Sequence, residues 1–182
     1  MDEKAYTGGL SPEYAVLGLL AESPAHGYDL HQRLMADLGQ IWHCSLSQIY
    51  NILKRLESQS YIAGEVQEQP KLPARRLFHL TEAGWGRFEA WLYNPTPASV
   101  RAIRVEFTTR LYFIHALNPE KVPSLIESQS AAIQVGLARL ERNLVEIQPE
   151  QIFNRLGLEL RLNQLRAILA WLEECREALQ VY

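Results

Sequence analysis

The stretch CSLSQIYNILKRLESQSYIAGE, Cys44 to Glu65, decides how the chain is read. Ser45 is placed to cap a helix, and Gln48 three residues later completes a capping-box pattern. Ile49, Ile52, Leu53 and Leu56 then recur at i, i+3, i+4 and i+7, the spacing of one buried helical stripe. The opposite side carries Ser47, Gln48, Asn51, Lys54 and Arg55, with no acidic residue before Glu57. A merely solvated helix face usually pairs its cations with Glu at i, i+4. Small, amide-bearing and basic side chains are instead the types that bond base edges and phosphates. Taken alone, the helix leaves both readings open, an ordinary amphipathic helix or one shaped for a groove of DNA.

Its flanks supply the context. Upstream, SPEYAVLGLLAESPAHGYDLHQRLMADLG (Ser11–Gly39) reads as two helices. Ser11 is expected as an N-cap, Pro12 as the first helical residue and Glu13 as the acid of the first turn. Glu22–Gly27 reads as a proline turn, Leu30, Leu34 and Leu38 as the stripe of the second helix, and Gly39 as its stop. Downstream, YIAGEVQEQ and RRLFHLT are strand-like runs joined at Pro70–Ala74, and TEAGWGRFEAWL starts a fourth helix at Thr81 with Phe88 and Leu92 inward. Three helices, a two-stranded wing and one more helix is the order of a winged helix-turn-helix. In that fold the third helix enters the major groove while the wing touches backbone or minor groove. Lys71, Arg75 and Arg76 are then the wing's contacts, although Arg76 fits a strand brace equally well. Tyr50, one position past the buried stripe, is placed to reach a phosphate with its hydroxyl. Tyr28, near the start of the second helix, is placed where backbone N–H groups favour an anion.

The segments VLGLLAESPAHGYDLHQRL, IYNILKRLESQSYI and RRLFHLTEAG, with His26-Gly27-Tyr28 and the run Ile49–Glu57 among them, resemble the signature of the PadR family of bacterial transcriptional regulators. The resemblance spans roughly residues 11–92 and rests on the combination of segments. Two positions depart from the pattern. Asn51 stands where the family usually has Pro, and Ser60 where it often has Gly. Asn51 lengthens the polar face and suits an adenine-type contact, whereas Ser60 calls only for local adjustment. The resemblance implies a sequence-specific DNA-binding regulator, a homodimeric repressor on a pseudo-palindromic operator, relieved by a small-molecule effector or another signal. Some relatives with the same C-terminal type activate. The alternative is a winged-helix module that binds protein and has lost DNA binding.

After NPTPASV the composition changes, which divides the chain into an expected winged-helix domain, 1–94, and a helical dimerisation domain, 95–182. Three helices are expected in the second. The first, about Arg101–Leu117, carries Ile103, Phe107, Leu111 and Ile114 inward. The second starts at Asn118-Pro119 and repeats by sevens at Ile126, Ile133, Leu140 and Ile147. The last repeats at Leu158, Leu165, Leu172 and Leu179, with Leu162 and Leu169 between. An intramolecular helix pair accounts for part of this. Leu160, Ile168, Trp171 and Cys175 form a second row that one pair cannot cover. Intersubunit packing through the leucines, Phe107 and Leu111 is therefore expected, and EFTTRLYF (Glu106–Phe113) resembles the start of the family's helix-exchanging dimerisation domain. Such a dimer sets two recognition helices about 34–36 Å apart.

Composition narrows the remaining classes. The 182 residues are 47% apolar and 21% charged, which suits a globular chain. The net charge is −3, yet residues 46–79 hold five cations (Lys54, Arg55, Lys71, Arg75, Arg76) against three acids (Glu57, Glu65, Glu68), a local +2. Phosphate neutralisation is a local effect, so an acidic protein with a basic patch still binds DNA. No run reaches ~18 apolar residues, so no membrane span is expected, and the acidic N-terminus does not read as a signal peptide. Cys44 and Cys175 match no metal or redox spacing, and a cytoplasmic setting follows. The five histidines show no catalytic spacing, with His26 read as a turn or cap residue. No enzyme activity, cofactor or metal is expected, and Trp42, Trp85, Trp91 and Trp171 read as core more readily than as a ligand pocket.

Overall fold

The computed structural model describes residues 11–69 and 72–180, in two compact units, Met1–Asn94 and Pro95–Tyr182. The first unit opens with α1 (Glu13–Glu22), whose residues Ala15 to Leu20 are all buried. Ser11 Oγ accepts the Glu13 N–H at 3.3 Å, and Pro12 already has helical dihedrals, φ −63° and ψ −4°. α2 (Gly27–Leu38) buries Leu30, Leu34 and Leu38. Gly39 ends it without a left-handed turn, since its φ is −63°. Glycine is needed there for closeness instead, because a Cβ would lie 2.3 Å from the Met35 carbonyl oxygen.

α3 (Leu46–Ser58) carries the capping box in full. Ser45 Oγ accepts the Gln48 N–H at 3.3 Å, and Gln48 Oε1 accepts the Ser45 N–H at 2.7 Å. Ile49, Ile52, Leu53 and Leu56 are buried against α1 and α2, each worth ~1.5–3 kcal/mol of transfer free energy. The helix ends in a Schellman motif. Tyr61 N–H donates to the Leu56 carbonyl at 3.0 Å, and Ser60 N–H to that of Glu57 at 2.9 Å. Ser60 adopts φ 60°, the left-handed region glycine favours.

β2 (Ile62–Gln69) and β3 (Leu72–Leu80) form the wing. They pair antiparallel from Ile62↔Leu80 to Gln69↔Leu72, with a register shift between Gln67 and Gln69. Leu72 to Ala74, expected in a proline-bearing turn, thus belong to β3, and Pro70 and Lys71 of that turn lie outside the described residues. The sheet also has a third strand. β1 (Ala25–His26) pairs with β3 through Ala25↔Phe78 and His26↔Leu77, giving the order β1-β3-β2. The segment expected as a proline turn is therefore partly a strand. His26 does not cap α2, and its Nδ1 bonds to the Arg76 carbonyl at 2.9 Å. α4 (Glu82–Leu92) starts at Thr81, whose Oγ1 accepts the Gly84 N–H at 3.1 Å and donates to the Ser60 carbonyl at 2.7 Å. Phe88, Trp91 and Leu92 are buried, and Trp91 stacks on Tyr14 at 4.7 Å.

The second unit is helical. α5 (Val100–Ala102) continues through a π-helical stretch, Ile103–Phe107, into α6 (Thr108–Leu117). Thr108 Oγ1 donates to the Ile103 carbonyl at 3.1 Å, five residues back, as that wider turn permits. Arg110 and Glu106 are wholly buried and paired at 2.5 Å, Arg110 also donates to Thr96 Oγ1 at 2.6 Å, and Gln129 donates to the Thr96 carbonyl at 3.2 Å. Asn118-Pro119 begins a 3-10 turn (Pro119–Lys121) in place of the expected α-helix, which starts at Val122. α7 (Val122–Glu146) and α8 (Ile152–Gln180) pair antiparallel, with Arg166 donating to Glu141 at 2.7 Å. Ile126, Ile133, Leu137 and Leu140 of α7 and Leu162, Leu165 and Leu172 of α8 are buried within the chain, in the unit where the two helices pair.

Candidate nucleic-acid interface

The capped start of α3 fixes which of its side chains face outward. Ser47, Asn51 and Lys54 follow at i, i+4 and i+7, all exposed, and form a polar ridge opposite the buried stripe. Gln48 is exposed at one edge of this ridge. Its Oε1 is engaged by the cap, which leaves its amide NH₂ to donate. Lys54 has no acidic partner among the described residues.

Beside the other edge lies a cleft of ≈ 770 Å³, lined by His26 and Gly27, Tyr28 at the start of α2, Tyr50, Lys54 and Glu57 of α3, and Arg75 and Arg76 of β3. Its apolar floor includes Leu53 and Phe78. Tyr28 and Tyr50 are about half exposed, at 55% and 48%. Gly27 makes the geometry possible, because a Cβ there would lie 2.7 Å from Tyr50 Cε1. The Tyr50 ring therefore rests on the first turn of α2. Two phenol hydroxyls, two cations with no acidic partner among the described residues and a helix N-terminus converge on one concavity, in which Glu57 is neutralised by Arg76, a setting that suits phosphate oxygens.

Two residues expected at the interface are ion-paired within the chain. Arg76 forms a forked pair with Glu57, Nη1 to Oε2 at 3.0 Å and Nη2 to Oε1 at 2.5 Å, donates to the Gly64 carbonyl at 3.3 Å, and lies over the Phe78 ring at 5.3 Å. It is the strand brace. Arg55 turns toward α1, where its Nε is paired with Glu13. The other Glu13 oxygen accepts Arg87 of α4 at 2.9 Å. Arg87 lies between Tyr14 and Tyr61, at 5.4 and 4.4 Å from the ring centroids. Burial opposes its charge, but Tyr14, Glu13 and Tyr61 more than offset this and hold the guanidinium above its ordinary value. Lys71 lies outside the described residues. Sequence reasoning missed Glu13 and Arg87, whose roles appear only when three helices meet.

The expected dimerisation residues also divide. Phe107, Leu111, Leu162, Leu165 and Leu172 are buried within the one chain, and Leu158, Leu169 and Leu179 are half-buried. Phe107 meets Trp171 edge to face at 6.2 Å. The exposed apolar residues of this unit are others: Val100, Val135 and Val145 (the last at 87%, at the end of α7), and Ile152, Phe153, Leu156 and Leu160 along α8. Trp42 and Trp91 are core residues of the first unit and Trp85 is exposed there, while Trp171 is half-buried in the second unit. Among the described residues no His, Cys, Asp and Glu group is placed to hold a metal ion, and no helix is long and apolar enough to cross a membrane.

A capped helix carrying a polar ridge, backed by two helices and flanked by a β-wing, defines a winged helix-turn-helix protein. Family models make the class specific: that of the transcriptional regulator PadR-like family matches residues 16–90, and that of the virulence activator alpha C-term matches residues 103–180. The chain belongs to the PadR-like family of transcriptional regulators. It is similar to the negative transcriptional regulator PadR of Bacillus subtilis, 31% identical over 131 residues, covering 71% of this chain and 70% of that protein. It is 25% identical over 194 residues to a probable transcriptional regulator of Mycobacterium tuberculosis, covering 92% and 96% of the two. Among solved structures it resembles Bacillus subtilis PadR in complex with operator DNA (27% identity, 92% of this chain and 98% of that one, TM-score 0.45). It likewise resembles the same protein with p-coumaric acid (26%, 93% and 98%, TM-score 0.41). These relatives are regulators, not enzymes.

Proposed function

We propose that this regulator is a cytoplasmic, homodimeric repressor that binds a two-fold-related operator. α3 lies in the major groove and the wing runs along the adjacent backbone. The observation that carries this reading is the acid-free ridge Ser47, Asn51 and Lys54 beside the cleft of Tyr28, Tyr50 and Arg75. Asn51 and the Gln48 amide read base edges, Ser47 bonds a base or phosphate at the ridge, and Lys54, Tyr28, Tyr50 and Arg75 hold backbone phosphates. Lys71 belongs to the same wing contact. Arg55 and Arg76 border the interface but are held in ion pairs with Glu13 and Glu57. Repression follows the name of the Bacillus subtilis relative. Because that relative is also known with p-coumaric acid, a small-molecule effector is part of the same proposal.

Two copies meet, in this reading, through the exposed row Phe153, Leu156 and Leu160 and the half-buried Leu158, Leu169 and Leu179. The test is binding to the chain's own promoter fragment, followed by anisotropy across a salt series. The log of the affinity is expected to fall linearly with log salt, by about 0.9 per phosphate neutralised, and to exceed that for unrelated duplex by at least ~10³-fold. Salt-independent or absent binding sinks the reading.

A further inference from the structure

We propose that Glu13 is a specificity-determining residue that withholds Arg55 from DNA. The recognition helix then meets the duplex through its polar ridge without an additional sequence-independent cation. The inference rests on the reading above that α3 enters a groove.

The carboxylate is fixed before Arg55 reaches it. Glu13 sits in the first turn of α1 with its N–H bonded to Ser11, and its side chain is only 10% exposed. One oxygen is occupied by Arg87, which is itself held by the Tyr14 and Tyr61 rings and by Gln59 Oε1 at 3.3 Å. The second oxygen takes Arg55. The two cations depend on this acid very unequally. Arg87 keeps two rings and an amide if the charge is removed, whereas the Arg55 side chain has no other hydrogen-bonding or charged partner among the described residues. Arg55 is also half exposed, at 51%, and directly follows Lys54 on the outward side of α3. A free guanidinium there reaches duplex phosphate on any sequence, which adds affinity without discrimination. An anchored acid behind the helix spends that charge inside the protein.

The variant Glu13→Gln keeps the shape and removes the charge. Binding to the promoter fragment and to unrelated duplex is measured across a salt series. For Glu13→Gln the salt slope is expected to steepen by about 0.9, with several-fold tighter binding to unrelated DNA and a smaller specific-to-unrelated ratio. Adding Arg55→Gln is expected to return the slope to the wild-type value. A Glu13→Gln slope equal to or shallower than wild type, or a steeper slope that survives Arg55→Gln, overturns the inference. Should Glu13→Gln fail to fold, Arg55→Gln alone decides. An unchanged slope supports the inference, and one shallower by about 0.9 overturns it because Arg55 then already touches DNA. Absence of wild-type binding brings down the functional reading and this inference together. A wild type that binds beside an unchanged Glu13→Gln slope brings down this inference alone.

Discussion

Glu57 and Arg76 meet as a forked pair that fastens the wing to the last turn of α3, with both contacts at 3.0 Å or less. The partners are partly exposed, at 29% and 47%, so screening keeps the pair itself modest. Arg76 adds the Gly64 carbonyl and the Phe78 face. Arg76→Ala is therefore expected to cost about 1 kcal/mol of stability by denaturant unfolding. A cycle with Glu57→Ala should show coupling of ~0.5–1 kcal/mol. The salt slope for DNA should stay within ~0.3 of wild type, and a loss near 0.9 would return Arg76 to the interface.

Lys54 and Arg75 should behave in the opposite way. Neither has an acidic partner among the described residues, and both border the cleft beside α3. Lys54→Ala and Arg75→Ala are each expected to weaken binding to all sequences alike and to flatten the salt slope by about 0.9, with little change in Tm. Asn51→Ala should instead relax discrimination at one base position by ~1–3 kcal/mol and leave the slope alone. Anisotropy titrations against single-base operator variants separate the two behaviours.

Ser60 carries a backbone cost that the resembling family pattern, with its frequent glycine, avoids. Its φ of 60° completes the Schellman turn between α3 and β2. The left-handed conformation costs a non-glycine residue about 1 kcal/mol or more, while glycine gives back part of this through greater unfolded-state freedom. Ser60→Gly is thus expected to stabilise the fold by ~0.5 kcal/mol, and Ser60→Val to destabilise it by more than ~1 kcal/mol. Chemical denaturation of the two variants measures both, and a destabilised Ser60→Gly would contradict the account.

The outcome for Ser60 illustrates what the sequence made legible. The capping box of Ser45 and Gln48, the Ile49–Leu56 stripe and the Thr81 cap involve residues three to seven apart, so local rules found them. β1 was invisible because two residues show no alternation, and the strand exists only because β3 offers it an edge. The ion pairs of Arg55 and Arg76 were not legible because their partners come from elsewhere in the sequence. Glu13 is 42 residues away from Arg55, and Glu57 is 19 from Arg76. In the second half, a leucine repeat has one appearance whether it packs on its own chain or on another copy. The structure gives Leu162, Leu165 and Leu172 to the α7–α8 seam. The Glu106–Arg110 spacing was readable as an i, i+4 pair, but its burial beside Thr96 and Gln129 was not.

Cys175 offers a pH-dependent check on the helical unit. Burial, with Glu174 adding to it, pushes its thiol up to about 11 from the ordinary 9.0. The folded chain therefore holds this proton more tightly than the unfolded one. The associated stabilisation is complete below pH 9 and is lost as pH rises towards 11. At pH 8 the thiolate is scarce, and alkylation by iodoacetamide is expected to be roughly two orders of magnitude slower than for an unperturbed thiol. Rapid labelling of native Cys175 at that pH would contradict the assigned environment.

The two kinds of apolar residue on α8 should separate cleanly under substitution. Leu165 is 3% exposed in the intramolecular seam, so Leu165→Ala removes packing from each chain and should cost ~2–5 kcal/mol whatever the oligomeric state. Leu156 and Leu160 are 53% and 58% exposed, and a charge at either is solvated in a lone chain. The double substitution Leu156→Glu with Leu160→Glu should therefore keep the helical content. In the proposed dimer the two carboxylates are forced into an apolar contact with their symmetry copies, a burial cost of several kcal/mol. Sedimentation should show the wild type at twice the chain mass and the double variant at the chain mass. Operator affinity should fall steeply in parallel, because two half-sites no longer bind as one unit. A double variant that remains dimeric would place the subunit contact on another face.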